Sequence, residues 1–160
     1  MVKLDRMNES EYQVFLERSI KDYAEDKVTA GTWKEQDALR LARESMERYL
    51  PKHLNTEGAH LFTVRAADSD TPIGHLWFNV IEEEGSRYAF IYDILIDDPF
   101  QGQGYGQATM KALEHEVRAL GLNRISLHVF GHNERAFRLY QKMGYLSTDI
   151  VMDKILDADM

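Results

Sequence analysis

The segment Gln101-Gly102-Gln103-Gly104-Tyr105-Gly106 follows an apolar run and precedes a helical pattern, and its glycines are closely spaced. Glycine allows a sharp turn and lets backbone amides approach a ligand closely. The first turn of a helix has N–H groups without intrahelical partners and a partial positive charge, and both features favour phosphate. The sequence therefore predicts an anion site at 101–106, with a plain tight turn into a helix as the alternative.

The residues around this turn support the first interpretation. No acidic residue occurs between Phe100 and Glu114, although the chain has a net charge of −8. The first turn of a helix usually contains Asp, Glu or a capping hydroxyl, so these amides are expected to await an external anion. The G-x-G-x-G spacing differs from the G-x-G-x-x-G dinucleotide fingerprint, and no Gly-Lys-Ser/Thr of a P-loop follows.

The elements before the turn combine helical and strand patterns. Asn8 and Glu11 form a capping-box pattern ahead of the first of two amphipathic helices, and Pro51 ends the second. Short alternating or apolar runs separated by tight turns imply antiparallel strands. The strands are predicted over 2–7, 61–65, 73–81 and 88–96, the first at an edge and the last in the centre, covered on both faces.

The elements after the turn predict a crossover connection. A helix reaches Gly121, a strand covers 124–130, a second helix covers 133–143, and the tail 145–156 forms one or two closing strands. The order is β-α-α-β-β-β-α-β-α-β(-β). This order predicts an α/β (α+β) fold with a mixed sheet, antiparallel first and with a parallel pair later, in a single domain over 1–160.

Composition excludes several function classes. The chain of 160 residues has no cysteine, which excludes disulfides, zinc–thiolate sites, iron–sulfur clusters and a cysteine acyl-enzyme. We expect no metal, because no H-E-x-x-H pattern is present. The acidic balance without a basic run argues against a nucleic-acid partner, and the short apolar runs argue against a membrane span. A cytoplasmic location is expected.

Two motifs in the right order resemble a known family. Gln101-x-x-Gly104-x-Gly106 resembles the R/Q-x-x-G-x-G/A signature of the GNAT superfamily of N-acetyltransferases, and Asn133-x-x-Ala136-x-x-x-Tyr140 is similar to its second signature. The order of elements also matches, so the resemblance covers the whole chain. It is strongest over 88–146 and resembles the small YycN-like bacterial branch.

The resemblance implies an acyl-CoA site between two parallel strands that splay apart, here 88–96 and 124–130. Backbone amides of the glycine turn would bind the pyrophosphate, and the end of strand 88–96 would pair with the pantetheine arm. Asn133 would bind the pantetheine, and Tyr140 would lie beside the thioester sulfur. The implied cofactor residues are Ile94, Leu95, Ile96, Gln101, Gly102, Gln103, Gly104, Tyr105, Gly106, Asn133 and Tyr140.

Acetyl transfer to an amine also requires proton transfers. Alkylammonium groups titrate near pH 10, so a base must remove a proton before or during attack. His128, on the strand that faces the cofactor, is the first candidate base and Asp93 the second. Each has an alternative role, His128 as a polar residue of the channel or sheet and Asp93 as an anchor. Tyr140 is the candidate acid for the departing thiolate, with a core tyrosine as its alternative.

The function implied is an N-acetyltransferase that moves an acetyl group from acetyl-CoA to a primary amine by direct attack in a ternary complex. The acceptor remains open between a protein N-terminus, a lysine, an antibiotic, a polyamine and a small metabolite. Trp33, Tyr23 and Tyr49 could line its pocket, but core packing is the favoured interpretation. The alternative function is a non-catalytic CoA-binding sensor of the same fold, and a homodimer is compatible with either.

Overall fold

The computed structural model describes residues 1–157, which form one sheet with helices on both faces. Short 3₁₀ turns occupy His53–Asn55 and Asp98–Phe100. The other elements are β1 (Val2–Arg6), α1 (Glu9–Thr29), α2 (Glu35–Tyr49), β2 (Ala59–Ala66), β3 (Pro72–Glu83), β4 (Ser86–Ile96), α3 (Tyr105–Ala119), β5 (Ile125–Leu127) and α4 (Glu134–Lys142).

The sheet has its strands in chain order, β1-β2-β3-β4-β5. The first four strands are antiparallel neighbours, and β4 pairs with β5 in parallel through α3. Short connections predict this arrangement for β2, β3 and β4, whereas α1 and α2 separate β1 from β2 in the chain. The predicted mixed α/β fold, with antiparallel strands first and one parallel pair later, is therefore confirmed.

Helix α1 begins where the capping-box pattern predicts. The Asn8 Oδ1 atom accepts a hydrogen bond from the Glu11 amide at 2.8 Å, and Glu11 Oε1 accepts one from the Asn8 amide at 3.0 Å. These two bonds satisfy amides that the first helical turn cannot satisfy itself. The predicted capping box is therefore confirmed, and it determines where α1 begins.

The two faces of the sheet have separate cores. Residues of α1 and α2, including Tyr12, Phe15 and Ala42, pack with Trp77 of β3 on one face. Residues of α3, including Leu113, pack on the other face, and α4 contributes partly buried side chains there. The sheet therefore separates a layer formed by α1 and α2 from a layer formed by α3 and α4.

The strand covered on both faces is β3, not β4 as predicted. Every residue of β3 from His75 to Asn79 is buried. In β4 only Ala89 and Ile91 are buried, and 92–96 are half-buried. The apolar side chains of β4 are therefore not explained by burial on both faces. Part of this strand lines an open cleft instead.

The last two strand predictions are partly or wholly wrong. The strand predicted over 124–130 forms only over Ile125–Leu127, because β4 offers it three paired positions before the strands separate. The closing strands predicted over 145–156 do not form within residues 1–157, where this tail contains no strand. A strand requires a neighbour for its backbone groups, and the tail lies against none.

Close approach of β3 to β4 requires glycine at position 74. A Cβ atom there would lie 2.0 Å from the carbonyl oxygen of Leu95, which is backbone and cannot rotate away. We expect Gly74→Ala to lower the free energy of unfolding in urea by about 1–3 kcal/mol. Gly131→Ala is the control, since a Cβ at Gly131 meets nothing within 4 Å. Equal stability of the two variants would contradict this packing.

Among residues 1–157, no helix combines the length and hydropathy that a membrane span needs. The same part of the chain brings together no group of three His, Cys, Asp or Glu side chains suited to a metal ion.

Candidate active site

A gap opens between β4 and β5. The parallel ladder consists of Ala89 with Ile125, Phe90 with Ser126 and Ile91 with Leu127, and it ends there. On its other side β4 stays paired with β3 as far as Ile96. Within residues 1–157, the backbone of 92–96 therefore has no strand partner on the β5 side. Ile94, Leu95 and Ile96, which are predicted to contact pantetheine, lie on this open stretch.

A β-bulge at Tyr92 lies at the start of the gap. The register of the β3–β4 pair passes from Phe78 opposite Ile91 to Trp77 opposite Asp93, so Tyr92 is an extra residue. A bulge bends its strand and increases the local twist. We attribute the separation of β4 from β5 to this bend, which the sequence pattern did not indicate.

Gln101 connects the end of β4 to α4. Its side-chain Nε2 donates to the Ile96 carbonyl at 2.8 Å, and its Oε1 accepts from Arg135 Nη1 at 3.0 Å. Arg135 thereby brings a positive charge next to the glycine turn. Sequence reasoning missed Arg135, which lies two residues after Asn133 in the second motif. The side chain of Gln101 thus holds the turn in place.

The glycine turn has the conformation that its composition predicts. Gly102 and Gly104 have φ angles of 76° and 85°, in the left-handed region that favours glycine. Gly104 is the N-cap of α3, without a side-chain cap, and the first helical turn contains no acid. The amides of Gly102–Gln107 donate no hydrogen bond to other residues among 1–157. Free donors and the helix dipole together are the features that favour binding of an anion.

The other turn residues support this site. Gln103 Nε2 donates to the Pro99 carbonyl at 3.2 Å, and Tyr105 packs partly buried at the start of α3. A Cβ at Gly106 would lie 3.5 Å from the side chain of Leu139 in α4, so a larger residue there would press on α4. The whole turn is therefore held between the end of β4, α3 and α4.

The two polar residues predicted on α4 have different surroundings. Asn133 is the N-cap of α4, and its side-chain Oδ1 accepts a hydrogen bond from the Ala136 amide at 3.3 Å. Its side-chain Nδ2 group donates no hydrogen bond within residues 1–157. Tyr140 is half-buried against the core, and its hydroxyl makes no hydrogen bond within 1–157. Burial, with a smaller effect of the Asp93 charge, raises the pKa of Tyr140 to about 12. The phenol therefore stays protonated at neutral pH.

A cavity of about 340 Å³ lies on the helix α1 side of the gap. Its wall combines carboxylates, aromatic rings and one imidazole. The residues that line it are Ser19, Asp22, Tyr23, Asp26, Lys27, Met46, Tyr49, Trp77, Phe90, Ile91, Tyr92, Asp93, His128 and Phe130.

His128, the candidate base, lies in the wall of this cavity just beyond the end of β5. Its ring meets Phe130 edge-on, with centroids 4.9 Å apart. Burial and then the positive charge of Lys27 lower the pKa of His128 below its usual 6.5. The imidazole is therefore neutral at pH 7 and able to accept a proton.

Asp93 is held in a hydrogen-bonded network. Its Oδ2 accepts from Ser19 Oγ at 2.6 Å, and His75 Nε2 lies 3.0 Å from the same oxygen. Burial alone would raise the pKa of Asp93. The nearby His75, Ser19 and Arg18 outweigh burial and lower it. A carboxylate stabilised in this way is a weak base, so the geometry favours the anchoring role over the catalytic one.

Comparison with known proteins identifies the family. Residues 19–145 match the model of the acetyltransferase (GNAT) family. The chain belongs to this GNAT family. The resemblance carried by the two motifs is confirmed, and acetyl transfer is the general reaction of these enzymes, with acetyl-CoA as cosubstrate.

Two relatives and one solved structure match nearly the whole of this acetyltransferase. It is 37% identical over 155 residues to the uncharacterized N-acetyltransferase YycN of Bacillus subtilis (strain 168), covering 97% of this chain and 99% of YycN. It is 35% identical over 153 residues to the uncharacterized N-acetyltransferase YdgE of the same organism, covering 96% of this chain and 97% of YdgE. A crystal structure of Bacillus subtilis YycN matches with a TM-score of 0.94, covering 99% of this chain and 100% of that one.

The residues present fit an acyl-CoA thioester. The free amides of the glycine turn offer donors for a diphosphate, and the unpaired stretch of β4 offers strand-type partners for an amide-containing arm. Tyr140 and Asn133 lie on α4, whose first turn adjoins the glycine turn through the Arg135–Gln101 contact.

The acetyltransferase has an acidic stripe on α1 that sequence reasoning missed. Ser19, Asp22, Tyr23, Asp26 and Lys27 recur at helical spacing and line the cavity together. The signal was present in the sequence as a polar stripe beside the apolar face of α1. Only the fold shows that this stripe faces a cavity and not solvent.

Asp22 and Asp26 of this stripe have different environments. Burial, followed by the charge of Asp93, raises the pKa of Asp22, and Arg18 opposes the shift. Asp26 Oδ1 lies 2.9 Å from His132 Nε2. The partly buried Asp22 has no such partner among residues 1–157. A cation in the cavity would therefore stabilise the ionised form of the Asp22 carboxylate.

The aromatic residues whose role was open pack on the core, and two of them also line the cavity. Tyr23 and Tyr49 pack against the α1–α2 core, as the favoured interpretation has it, and both also contribute to the cavity wall. Trp33 packs on the α1–α2 core and meets Tyr23 edge-on at 5.4 Å. Lys27 Nζ lies 5.2 Å from the Trp33 ring centroid, so this corner of the cavity already contains a cation–π contact.

Proposed function

We propose that this acetyltransferase moves an acetyl group from acetyl-CoA to a primary amine bound in the cavity beside α1, by direct attack in a ternary complex. One observation carries the proposal: the same open stretch of β4 adjoins the cavity at one end and leads to the free amides of the glycine turn at the other. A thioester extended along β4 would therefore present its acetyl group to the cavity.

The chain's own groups would hold acetyl-CoA along this path. The amides of Gly102–Gln107 would bind the pyrophosphate, with the Arg135 guanidinium beside them. The backbone of 94–96 would pair with the pantetheine arm, and the free amide group of Asn133 would donate to it. The thioester would then lie between the end of the β4 gap and Tyr140.

The cavity wall supports a particular class of acceptor. Asp22 and Asp26 would attract an ammonium group, and Asp93 adds to the negative potential. Tyr49, Trp77 and Phe130, with further rings, provide an apolar surface beyond these carboxylates. Aromatic faces also attract a cation. We therefore propose a primary amine attached to an apolar or aromatic body.

The proton transfers follow from two groups. The amine nitrogen forms a bond to the acetyl carbon while the carbon–sulfur bond breaks, and the nitrogen must lose a proton. His128, neutral at pH 7, would accept that proton directly or through water. Tyr140 would donate a hydrogen bond to the sulfur as negative charge develops on it. No covalent bond to the protein is needed.

The pH dependence of kcat/KM would report the role of His128. Protonation of the amine alone lowers kcat/KM tenfold per pH unit as the pH falls. Because the pKa of His128 is lowered, a second tenfold loss per unit is expected only below pH 6.5. His128→Asn should have lower activity and lack this second loss. A wild-type profile without the second loss, or its persistence in the variant, would contradict the assignment.

A screen of amine classes would test the proposed function. Release of free thiol from acetyl-CoA would be measured with aromatic and alkyl amines, polyamines, aminoglycosides and peptides with a free N-terminus or lysine. We expect turnover, with a preference for amines that have an apolar body. If the protein binds CoA yet releases no thiol with any class, the proposal is wrong.

The contribution of Asp22 can be measured with the best amine of that screen. Asp22→Asn should raise KM for the amine about tenfold, since a charge-assisted contact contributes about 1.5–3 kcal/mol. The KM for acetyl-CoA should not change. Glu25→Gln, an exposed site on the same helix, is the control. Equal KM values for both variants would exclude Asp22 from amine binding.

A further inference from the structure

The C-terminal segment 146–157 is apolar but uncovered. Six of its large apolar side chains are at least 77% exposed, and they include Val151 at 89%. The six are Leu146, Ile150, Val151, Met152, Ile155 and Leu156. Outside this segment, only four large apolar residues among 1–157 are exposed. So much apolar surface on one short segment marks an interaction site.

The backbone of this segment is also without partners. The last backbone hydrogen bond before it joins the Tyr145 amide to the Tyr140 carbonyl, and none within 1–157 involves 146–157. Its apolar runs with β-branched residues, such as Ile150-Val151, predict a strand, and no strand forms over 146–157. It therefore has the composition of a strand and lacks only a neighbouring strand.

A matching vacancy exists at the edge of the sheet. Among residues 1–157, strand β5 is the last in the sheet and pairs with β4 alone, so its outer edge has no neighbour from this part of the chain. A second cavity of about 340 Å³ lies beside this edge, between Ile125 of β5, Val117 of α3 and Met143. Tyr145 also lines this cavity, and its buried hydroxyl finds no hydrogen-bond partner in the described part of the chain.

We propose that two copies of this chain exchange their segments 146–157, each added as a strand to the outer edge of the other copy's β5. The segment begins at Leu146, which lines this cavity, and its large apolar side chains are exposed to solvent. One two-fold axis would pair both edges with both segments and leave no free edge of this kind.

The composition of the segment favours this occupant. Asp149, Asp153 and Asp157 make the segment acidic, with Lys154 as its one cation. The groove beside β5 contains the apolar side chains of Val117, Leu122 and Ile125 together with the charged Arg118 and Glu114. The exchanged segment would cover these apolar side chains, and its aspartates would lie near Arg118. Because β5 leads directly to His128, the exchanged strand would also brace the wall of the active site.

Sedimentation of the full chain tests the association. We expect twice the chain mass of 18.6 kDa at micromolar concentration. The double variant Val151→Asp with Met152→Asp should sediment as a monomer, because it introduces charges into the exchanged strand. Val14→Asp is the control, since Val14 is a 70% exposed apolar residue on α1. A monomeric wild type, or a dimer that survives in the double variant, would overturn the proposal.

Cysteine pairing then tests the exchange itself, because the natural chain has no cysteine. One copy would carry Ser126→Cys in β5, and a second copy of different size would carry Ile150→Cys, Val151→Cys or Met152→Cys. After refolding together and oxidation, we expect a disulfide between the two copies for at least one of these positions. A single chain that carries both changes and closes the disulfide within itself would overturn the proposal.

Discussion

Replacing Tyr140 by phenylalanine should lower kcat about 10²-fold or more and leave the affinity for acetyl-CoA unchanged. The hydroxyl makes no hydrogen bond within residues 1–157, so its loss breaks no structural contact there. Its pKa of about 12 keeps it protonated, and a positioned donor contributes about 10²–10⁴-fold to rate. Single-turnover rates and a titration with CoA would separate the two effects.

Tyr145→Phe is the matched control for this experiment. The Tyr145 ring centroid lies 5.8 Å from that of Tyr140, and the buried Tyr145 hydroxyl has no hydrogen-bond partner among residues 1–157. Removing an unsatisfied buried hydroxyl should maintain or raise stability and leave kcat unchanged. Equal losses in both variants would indicate a general effect of the tyrosine pair, and the acid role of Tyr140 would then be wrong.

Replacing Gln107 by glutamate should weaken acetyl-CoA binding at least tenfold without loss of stability. Gln107 lies in the first turn of α3, where the amides are free and no acid is present. A carboxylate there would interact favourably with the helix dipole and compete with the pyrophosphate for the same donors. Calorimetric titration with CoA and thermal unfolding would measure the two quantities on the same samples.

Gln36→Glu makes the same change in the first turn of α2, which already contains Glu35 and Asp37. It alters the net charge equally but lies on a helix without a proposed phosphate site. Its CoA affinity should equal that of the wild type. If both glutamate variants bind CoA as tightly as the wild type does, the phosphate does not lie on the first turn of α3.

Local patterns predicted local structure well in this chain. The capping box of Asn8 and Glu11 and the glycine turn depend on residues close in sequence, and their interactions arise within one turn of backbone. The mixed sheet was also predictable, because short turns imply hairpins and a helical crossover implies a parallel pair. The family motifs lie on these same local elements.

Features formed by distant segments were not predictable from these patterns. The bulge at Tyr92 depends on the pairing of β3 with β4, and nothing in the local sequence distinguishes an extra residue from a paired one. Asp22 and Asp26 form an ordinary polar stripe until the cavity beside α1 is known. The tail has a strand pattern, but a pattern cannot tell which chain supplies the neighbouring strand.

The amides of the glycine turn are best tested by following them directly. In ¹⁵N–¹H spectra recorded during titration with CoA, we expect the amide protons of Gly102, Gly104 and Gly106 to move downfield together and to exchange more slowly with solvent. The dissociation constant obtained from these spectral changes should equal the one measured by calorimetry. Saturation of the protein with CoA while these amides keep their positions and exchange rates would contradict the site proposed here.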